Sequence, residues 1–186
     1  MRRWDTLTTE RLTLRRWSDT DRDAFHALNS DPDVMATIGP PMTRGESDAF
    51  MNRISAAFEA AGYGLWCVDL GGECIGYTGF MKPWFRGGME IGWRIRSSHW
   101  GHGYAPEAAR ACLAIGFARC DEGGIGFDEL LTFTAATNTK SIRVMEKLGF
   151  VRVLDGDFDH PSVPPGSPLR PHVLYRMTVD QYRELT

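Results

Sequence analysis

The chain has 186 residues, of which 42% are hydrophobic, and a formal net charge of -3. This length fits one domain, residues 1–186, with a substantial core that needs no disulfide support. The mild negative charge and the pI near 5.9 argue against a non-specific nucleic-acid binder. No stretch approaches the ~20 apolar residues of a membrane span. We therefore expect neither a nucleic-acid nor a membrane partner.

The cysteines and the N-terminus predict a location. The four cysteines include no C-x-x-C pair, and no metal-ligand spacing links them to the five histidines. We expect buried free thiols of a reducing compartment and no metal. The opening Arg2-Arg3-Trp4 is not followed by an apolar core, so no signal peptide is expected. Together these features predict a cytoplasmic protein.

The first half of the chain reads as helices and strands with clear boundaries. Capping boxes at Ser18-x-x-Asp21 and Thr43-x-x-Glu46 each predict the start of a helix. Gly62 predicts the end of the second helix. Alternating apolar residues, and Gly71-Gly72 as a hairpin turn, predict strands over Arg11–Trp17, Leu65–Leu70 and Cys74–Met81.

The most informative stretch is a strand, a glycine turn and a helix over 89–118. Alternation from Met89 to Ile95 predicts the strand, and Pro106 suits the first helical position. Gly101 and Gly103, just before the helix, can leave a row of backbone N–H groups free for an anion such as a pyrophosphate. The pattern lacks the third glycine of the dinucleotide fingerprint and the lysine of a Walker loop. A tight turn without a ligand is the alternative.

A second strand–turn–helix unit follows at 129–149. Glu129–Ala135 reads as a strand, and Asn138 is a good N-cap. Ile142, Met145 and Leu148 form an apolar helix face, which Gly149 ends as the C′ residue. Capping alone is a sufficient role for Asn138.

The C-terminal part carries a long irregular segment, 155–171, between strands predicted at 151–154 and 172–178. It contains Asp157, Asp159 and His160, which can wall an acceptor site and meet a cationic amine. A surface arm or a homodimer contact is the alternative, since long structureless loops are often functional but not always so.

Taken together, these motifs resemble the GNAT superfamily of N-acetyltransferases. Trp100-Gly101-His102-Gly103-Tyr104-Ala105 is similar to its acyl-CoA pyrophosphate loop, and Asn138-x-x-Ser141 with Leu148-Gly149-Phe150 to its later cofactor helix. The opening 9–15 and Trp100 resemble the RimJ/RimL-type branch. The resemblance implies an α/β (α+β) fold with a mixed, mostly antiparallel twisted sheet. About seven strands flanked by helices are expected, with a splay between the fourth and fifth.

The resemblance also implies acetyl-CoA as cosubstrate, without a metal, and a set of residues that bind it. Backbone N–H groups of the glycine loop would hold the pyrophosphate, with His102 touching phosphates. A backbone N–H near Ile95 would serve the pantetheine and the oxyanion. Asn138 would bind the pantetheine and Lys140 a phosphate. The expected cofactor-binding residues are Ile95, Trp100, Gly101, His102, Gly103, Tyr104, Ala105, Asn138, Lys140 and Ser141.

The implied reaction is acetyl transfer to a primary amine by direct attack, the acceptor being a protein N-terminus or a small molecule. Glu90 matches a catalytic glutamate of many members and is the candidate general base. An ion pair with Arg94 on the same strand face is the alternative. Met145 stands where many members have a tyrosine acid, so that role does not transfer. Ser141 is a substitute, with a purely cofactor-binding role left open.

Two other classes of function stay open. A non-catalytic acyl-CoA binding or sensing module would keep the cofactor loop without turnover, and Met145 favours it. A nucleotide-binding α/β protein is the third class.

Overall fold

A computed structural model describes residues 4–185; Arg2 and Arg3, used above for the leader argument, lie outside them. The strands are β1 (Thr6–Thr8), β2 (Thr13–Arg15), β3 (Leu65–Leu70), β4 (Glu73–Met81), β5 (Glu90–Ile95), β6 (Glu129–Ala135), β7 (Val151–Arg152), β8 (Phe158–Asp159) and β9 (Pro171–Thr178). The helices are α1 (Arg22–Ser30), α2 (Pro32–Met35), α3 (Arg44–Ala61), α4 (Tyr104–Phe117), α5 (Thr139–Leu148) and α6 (Val179–Leu185).

The strands form one mixed sheet in the order β1-β2-β3-β4-β5-β6-β9-β7, with β8 also paired to β9. The predicted fold class is confirmed, but the described residues contain nine strands rather than about seven. The predicted first strand is split by a turn in which Thr9 N–H donates to Leu12 O, so β1 and β2 form a hairpin. The added β8 is two residues long, too short to leave an alternating pattern.

The sheet parts between β5 and β6, which confirms the predicted splay. These two strands run parallel and share the single register pair Glu90–Leu131, whereas the other pairings are antiparallel. Leu131 N–H donates to Met89 O at 2.8 Å at the start of β5. Beyond that point the facing edges of the two strands are no longer joined.

The two faces of the sheet carry different helices. On one face, α4 and α5 cover a core that includes Ile91, Leu113 and Met145. On the other, α1 and α3 pack Phe25 and Phe50 with strand residues of a second core cluster. Residues alternate along β5, so Glu90 faces away from Ile91 and α4.

Local signals set most helix ends. Thr43 and Glu46 form the predicted capping box of α3, and Gly62 ends that helix at φ +81°. The box at Ser18 opens a single 3₁₀ turn, from which α1 continues. Pro106 is not the first residue of α4, as predicted, but the third. A proline fits either position because both N–H groups lack a helical partner.

Three further expectations need correction or mention. Cys67, Cys74 and Cys112 are buried free thiols as predicted, but Cys120 is exposed because it lies in the loop after α4. The predicted strand 151–154 shortens to β7 because a 3₁₀ turn begins at Leu154. Among the described helices, none is both long and apolar enough to cross a membrane.

Candidate active site

The glycine loop before α4 presents a row of free donors. Gly101 and Gly103 have φ of +83° and +80°, a backbone region that glycine adopts without strain. In the described part of the chain, none of the five N–H groups from Gly101 to Ala105 donates to another group of the protein. Such a concave row at a helix start binds anions, a diphosphate among them.

The N-terminal hairpin holds this loop in place. Arg11 donates to Glu107 in the first turn of α4 and, at 3.0 Å, to His102 O. Its guanidinium also lies 4.6 Å from the ring centroid of Tyr104. Burial works against the charged form of Glu107, but hydrogen bonds from Thr9 and Arg11 keep the pKa of this carboxyl below its usual value. Arg11 therefore neutralises a carboxylate that would otherwise repel an anion here.

A groove of about 690 Å³ runs beside the loop and adds cations that the sequence analysis missed. It is lined by Arg11, Arg110 and Lys147, among other residues. Arg110 donates to Lys147 O at 3.2 Å, so α4 and α5 are joined at the groove. Arg110 lies on α4 and Lys147 on α5. Because they are on separate helices and belong to no local motif, residue spacing could not predict that they line one groove.

Trp100 connects the two strand–turn–helix units. Its indole Nε1 donates to Ile95 O, the last carbonyl of β5, at 2.8 Å. The Lys140 ammonium lies 3.6 Å from the Trp100 ring centroid, a cation–π contact with the first turn of α5. The structure thus places Trp100 and Lys140 together beside the split in the sheet.

The open edge of β5 carries the backbone donors predicted near Ile95. Arg96 N–H donates to Ile75 O of β4. Neighbouring residues of a strand direct their N–H groups to opposite edges, so the N–H groups of Trp93 and Ile95 point towards β6. Because β5 and β6 share only the Glu90–Leu131 pair, those donors face the split.

Asn138 caps α5 as predicted. Its side-chain oxygen accepts from Ser141 N–H at 3.2 Å, and its amide nitrogen donates to Thr134 at 3.0 Å. Ser141 is partly buried in the first turn, and its hydroxyl has no partner among residues 4–185. Met145, which stands where a tyrosine acid was considered, is 1% exposed in the core. This position therefore supplies no general acid.

Glu90 is the buried carboxyl group next to the split. Its residue is 9% exposed, and it forms no hydrogen bond or ion pair with any described residue. Burial raises the pKa of Glu90 to about 8, although the Arg86 charge acts to lower it. A carboxyl with such a pKa, beside the parted strands, is a candidate for proton transfer near neutral pH.

The proposed ion pair between Glu90 and Arg94 is not present in the structure. Arg94 instead donates to Asn29 of α1 at 2.5 Å, and its guanidinium lies 5.3 Å from the ring centroid of Tyr77. Burial, together with the Glu90 charge, raises the pKa of Tyr77 despite the opposing Arg94 charge. Tyr77 and Asn29 are polar neighbours of this strand face that sequence analysis missed, because β4 and α1 showed only apolar patterns.

The segment 155–171 contributes aromatic rings. Phe85, Phe133, Phe158, His160 and His172 form the aromatic wall, whose ring centroids lie 4.8–6.2 Å from neighbouring rings. Phe133 is two residues from Leu131 on β6, so it lies on the Glu90 side of the sheet. Burial lowers the pKa values of both histidines, which keeps them neutral at pH 7.

Two acids of this segment, Asp157 and Asp159, do not provide the free negative charge that the sequence suggested. Asp157 pairs with Arg152 at 2.6 Å, and Asp159 pairs with Arg170 at 3.0 Å. The hypothesis that they meet a cationic amine therefore loses its electrostatic basis. Their partners lie several residues away along an irregular segment, where no periodicity predicts pairing.

One cluster of potential metal ligands also escaped the sequence analysis. Ligand atoms of Asp21, Cys67 and Cys74 lie within 4.8 Å of one another. Both Asp21 oxygens accept from Arg15 at 2.8 Å, however, so the carboxylate is already engaged in an ion pair. The prediction that the protein uses no metal stays a prediction.

The split sheet, the donor row and the open strand edge define a class: proteins that bind an extended, phosphate-bearing ligand along parted strands. The model of the acetyltransferase (GNAT) domain matches residues 11–151 of this chain. The chain therefore belongs to the GNAT acetyltransferase family, as its motifs predicted. Members of this family transfer acetyl groups and use acetyl-CoA.

Individual relatives agree with this assignment. The chain is 34% identical to the uncharacterized protein YkkB of Bacillus subtilis over 77% of this chain and 83% of that one. It is 28% identical to the FsC-acetyl coenzyme A-N(2)-transacetylase of Aspergillus fumigatus, over 95% and 77% of the two chains. A GNAT-family acetyltransferase structure from Bacillus anthracis superposes with a TM-score of 0.74 at 30% identity, covering 94% and 99%.

Proposed function

We propose that this protein transfers an acetyl group from acetyl-CoA to the nitrogen of a primary amine by direct attack, with Glu90 as general base. The observation that carries the proposal is the buried, unpaired Glu90 carboxyl beside the parted edge of β5. A base with a pKa of about 8 suits an amine, which must lose a proton to attack.

The cosubstrate would be held mainly by backbone groups. The N–H groups of Gly101, His102, Gly103, Tyr104 and Ala105 fit a diphosphate, because they are five consecutive unpartnered donors at a helix start. Ile95 and Asn138 would hydrogen-bond the amides of the pantetheine arm. Trp100, Lys140 and Ser141 would line its path, and Lys140 is close enough to the loop to serve a phosphate. When bound, acetyl-CoA supplies an acetyl group activated as a thioester.

The residues of the chain would then control charge and protons. Glu90 would accept the proton of the amine, directly or through water. The N–H of Ile95 would donate to the oxygen that gains negative charge, a donor fixed before the reaction begins. Ser141 or solvent would supply the proton for the departing thiolate, because Met145 cannot.

A non-catalytic acyl-CoA binding module is the alternative, favoured by Met145 in the core. Release of free thiol from acetyl-CoA, measured with and without a panel of amines, separates the two. We expect amine-dependent release, together with an N-acetylated product in the mass spectrum. Tight acetyl-CoA binding with release that no amine accelerates would favour the binding module.

The general base has its own test. Below a pKa of about 8 Glu90 is protonated and cannot accept a proton, so kcat/KM should rise with pH towards 8. A weakly basic amine, which stays neutral across the range, isolates this limb. The charged or titratable groups facing Glu90 are Arg86, Tyr77 and Arg94. We expect Glu90→Gln to lose the rise of kcat/KM with pH and to react at least 100-fold more slowly. An unchanged profile would contradict the assignment.

A protein N-terminus and a small molecule both remain candidate acceptors, and a RimJ/RimL-type relationship, a homodimer and a cytoplasmic location remain predictions. The pairing of Asp157 and Asp159 with arginines reduces the negative charge that this segment would offer a polycationic acceptor.

A further inference from the structure

Arg86 is a cation whose hydrogen-bond donors are not all satisfied by the described residues. Its Nη1 atom is buried and has no hydrogen-bond partner in the described part of the chain. Among residues 4–185 it forms no ion pair either, unlike Arg152 and Arg170 nearby in the fold. A buried donor without a partner costs stability, so such groups are usually matched by something the chain itself does not provide.

The position of Arg86 links the aromatic wall to Glu90. Its guanidinium carbon lies 4.5 Å from the ring centroid of Phe158 and 5.9 Å from that of Phe133. Phe133 lies on the Glu90 side of the sheet, and Arg86 stands four residues before Glu90 in the loop that leads into β5. A ligand group bound at Arg86 would therefore lie a short distance from an amine bound at Glu90.

The wall itself favours a flat, apolar group over a charged one. All five rings are partly exposed, so each keeps some surface outside the protein interior. The two histidines are neutral at pH 7, and Asp157 and Asp159 are paired with arginines. Arg86 is thus the charged side chain in contact with these rings.

Building on the proposed function, we propose that the acceptor is an amino acid with an aromatic side chain, whose carboxylate binds Arg86 and whose ring packs on the aromatic wall. The acceptor nitrogen forms a bond to the acetyl carbon while the carbon–sulfur bond breaks. The sulfur keeps the electron pair and takes a proton from Ser141 or solvent, and the amine proton leaves through Glu90. The products are an N-acetyl amino acid and coenzyme A. A protein N-terminus has a neutral amide in place of that carboxylate and would leave the Arg86 charge without a counter-charge.

The kinetic test compares three acceptors that differ only at the carboxylate: phenylalanine, phenylalaninamide and phenethylamine. After correction for the neutral amine fraction, we expect kcat/KM for phenylalanine to be 10- to 100-fold higher, the effect of a charge-assisted hydrogen bond. Arg86→Gln should abolish this preference, and Arg86→Lys should retain part of it. Lys82→Gln, an exposed cation of the same loop, is the control and should leave the preference intact.

Arg86→Gln should also shift the rising limb of the pH profile to higher pH, because the charge that favours ionised Glu90 is gone. This shift tests the effect of the Arg86 charge on Glu90, and the comparison of the three acceptors tests the carboxylate subsite. Equal rates for the three acceptors in the wild-type enzyme would overturn the inference about Arg86, while amine-dependent release would still support the proposed function.

A binding experiment tests the carboxylate subsite even when no amine is acetylated. A lack of acetylation would count against the proposed function and not against the subsite. With coenzyme A present, calorimetry compares N-acetylphenylalanine with N-acetylphenylalaninamide. At least 10-fold tighter binding of the acid, lost in Arg86→Gln, supports the carboxylate subsite. Equal affinities would overturn it.

Discussion

The carboxyl group of Glu90 lies where water has little access. Its charged form loses solvation on folding, and no described residue replaces that solvation with a hydrogen bond. The same burial that makes it a base near neutral pH must also make it a cost in stability once it ionises.

This cost predicts how stability depends on pH. The pKa of Glu90 is about 8 in the folded protein, against an ordinary value of 4.5. Between those values the folded state holds a proton that the unfolded state has lost, so the free energy of unfolding falls as pH rises from 4.5 to 8. The fall should be on the order of 3–5 kcal/mol and level off above pH 8.

Urea unfolding of the wild type and Glu90→Gln at several pH values measures this contribution. The variant should lack the fall, and Glu129→Gln, an exposed glutamate of β6, should keep it. Parallel pH curves for the wild type and Glu90→Gln would show that Glu90 ionises normally and would weaken its role as base.

At the scale of elements, α5 depends on its cap. Asn138→Ala removes the acceptor for Ser141 N–H and the donor to Thr134. We expect a loss of about 1 kcal/mol in unfolding free energy, measured with denaturant. Asn138→Asp keeps the capping oxygen and should lose less. If Ala and Asp destabilise equally, the cap is not what holds the start of this helix.

The elements that sequence predicts well are those whose signals are local. The capping box at Thr43, the C-terminal glycines at 62 and 149, and the alternation of β5 and β6 specify boundaries within a few residues. The strand β8 carries no such signal, because its pairing depends on β9 rather than on its own residues.

The candidate site likewise has residues that local signals predict and residues that only the folded chain brings together. The glycine loop and Asn138 are found by spacing, because backbone conformation and capping are local properties. Arg86, Tyr77 and the aromatic wall come together only when β4, β6, β8, β9 and two loops meet, so sequence analysis missed them or assigned them to a loop. The pairing of Asp157 and Asp159 with arginines also required the folded chain.

One arrangement organises the whole molecule: a sheet that parts at β5 and β6, with free N–H donors at the start of α4 beside the split. The family assignment implies that acetyl-CoA binds. The geometry adds that the Gly101–Ala105 backbone recognises its diphosphate.

The affinity of coenzyme A for Gly101→Ala tests this claim most directly, with Gly166→Ala as a matched control. Both glycines have φ near +82° and open space around an added Cβ, so the backbone penalty is the same and only the location differs. Calorimetry should show at least a 10-fold loss of coenzyme A affinity for Gly101→Ala and none for Gly166→Ala, with pantetheine, which lacks the diphosphate, unaffected by either. Unchanged coenzyme A affinity in Gly101→Ala, or an equal loss in both variants, would contradict the account.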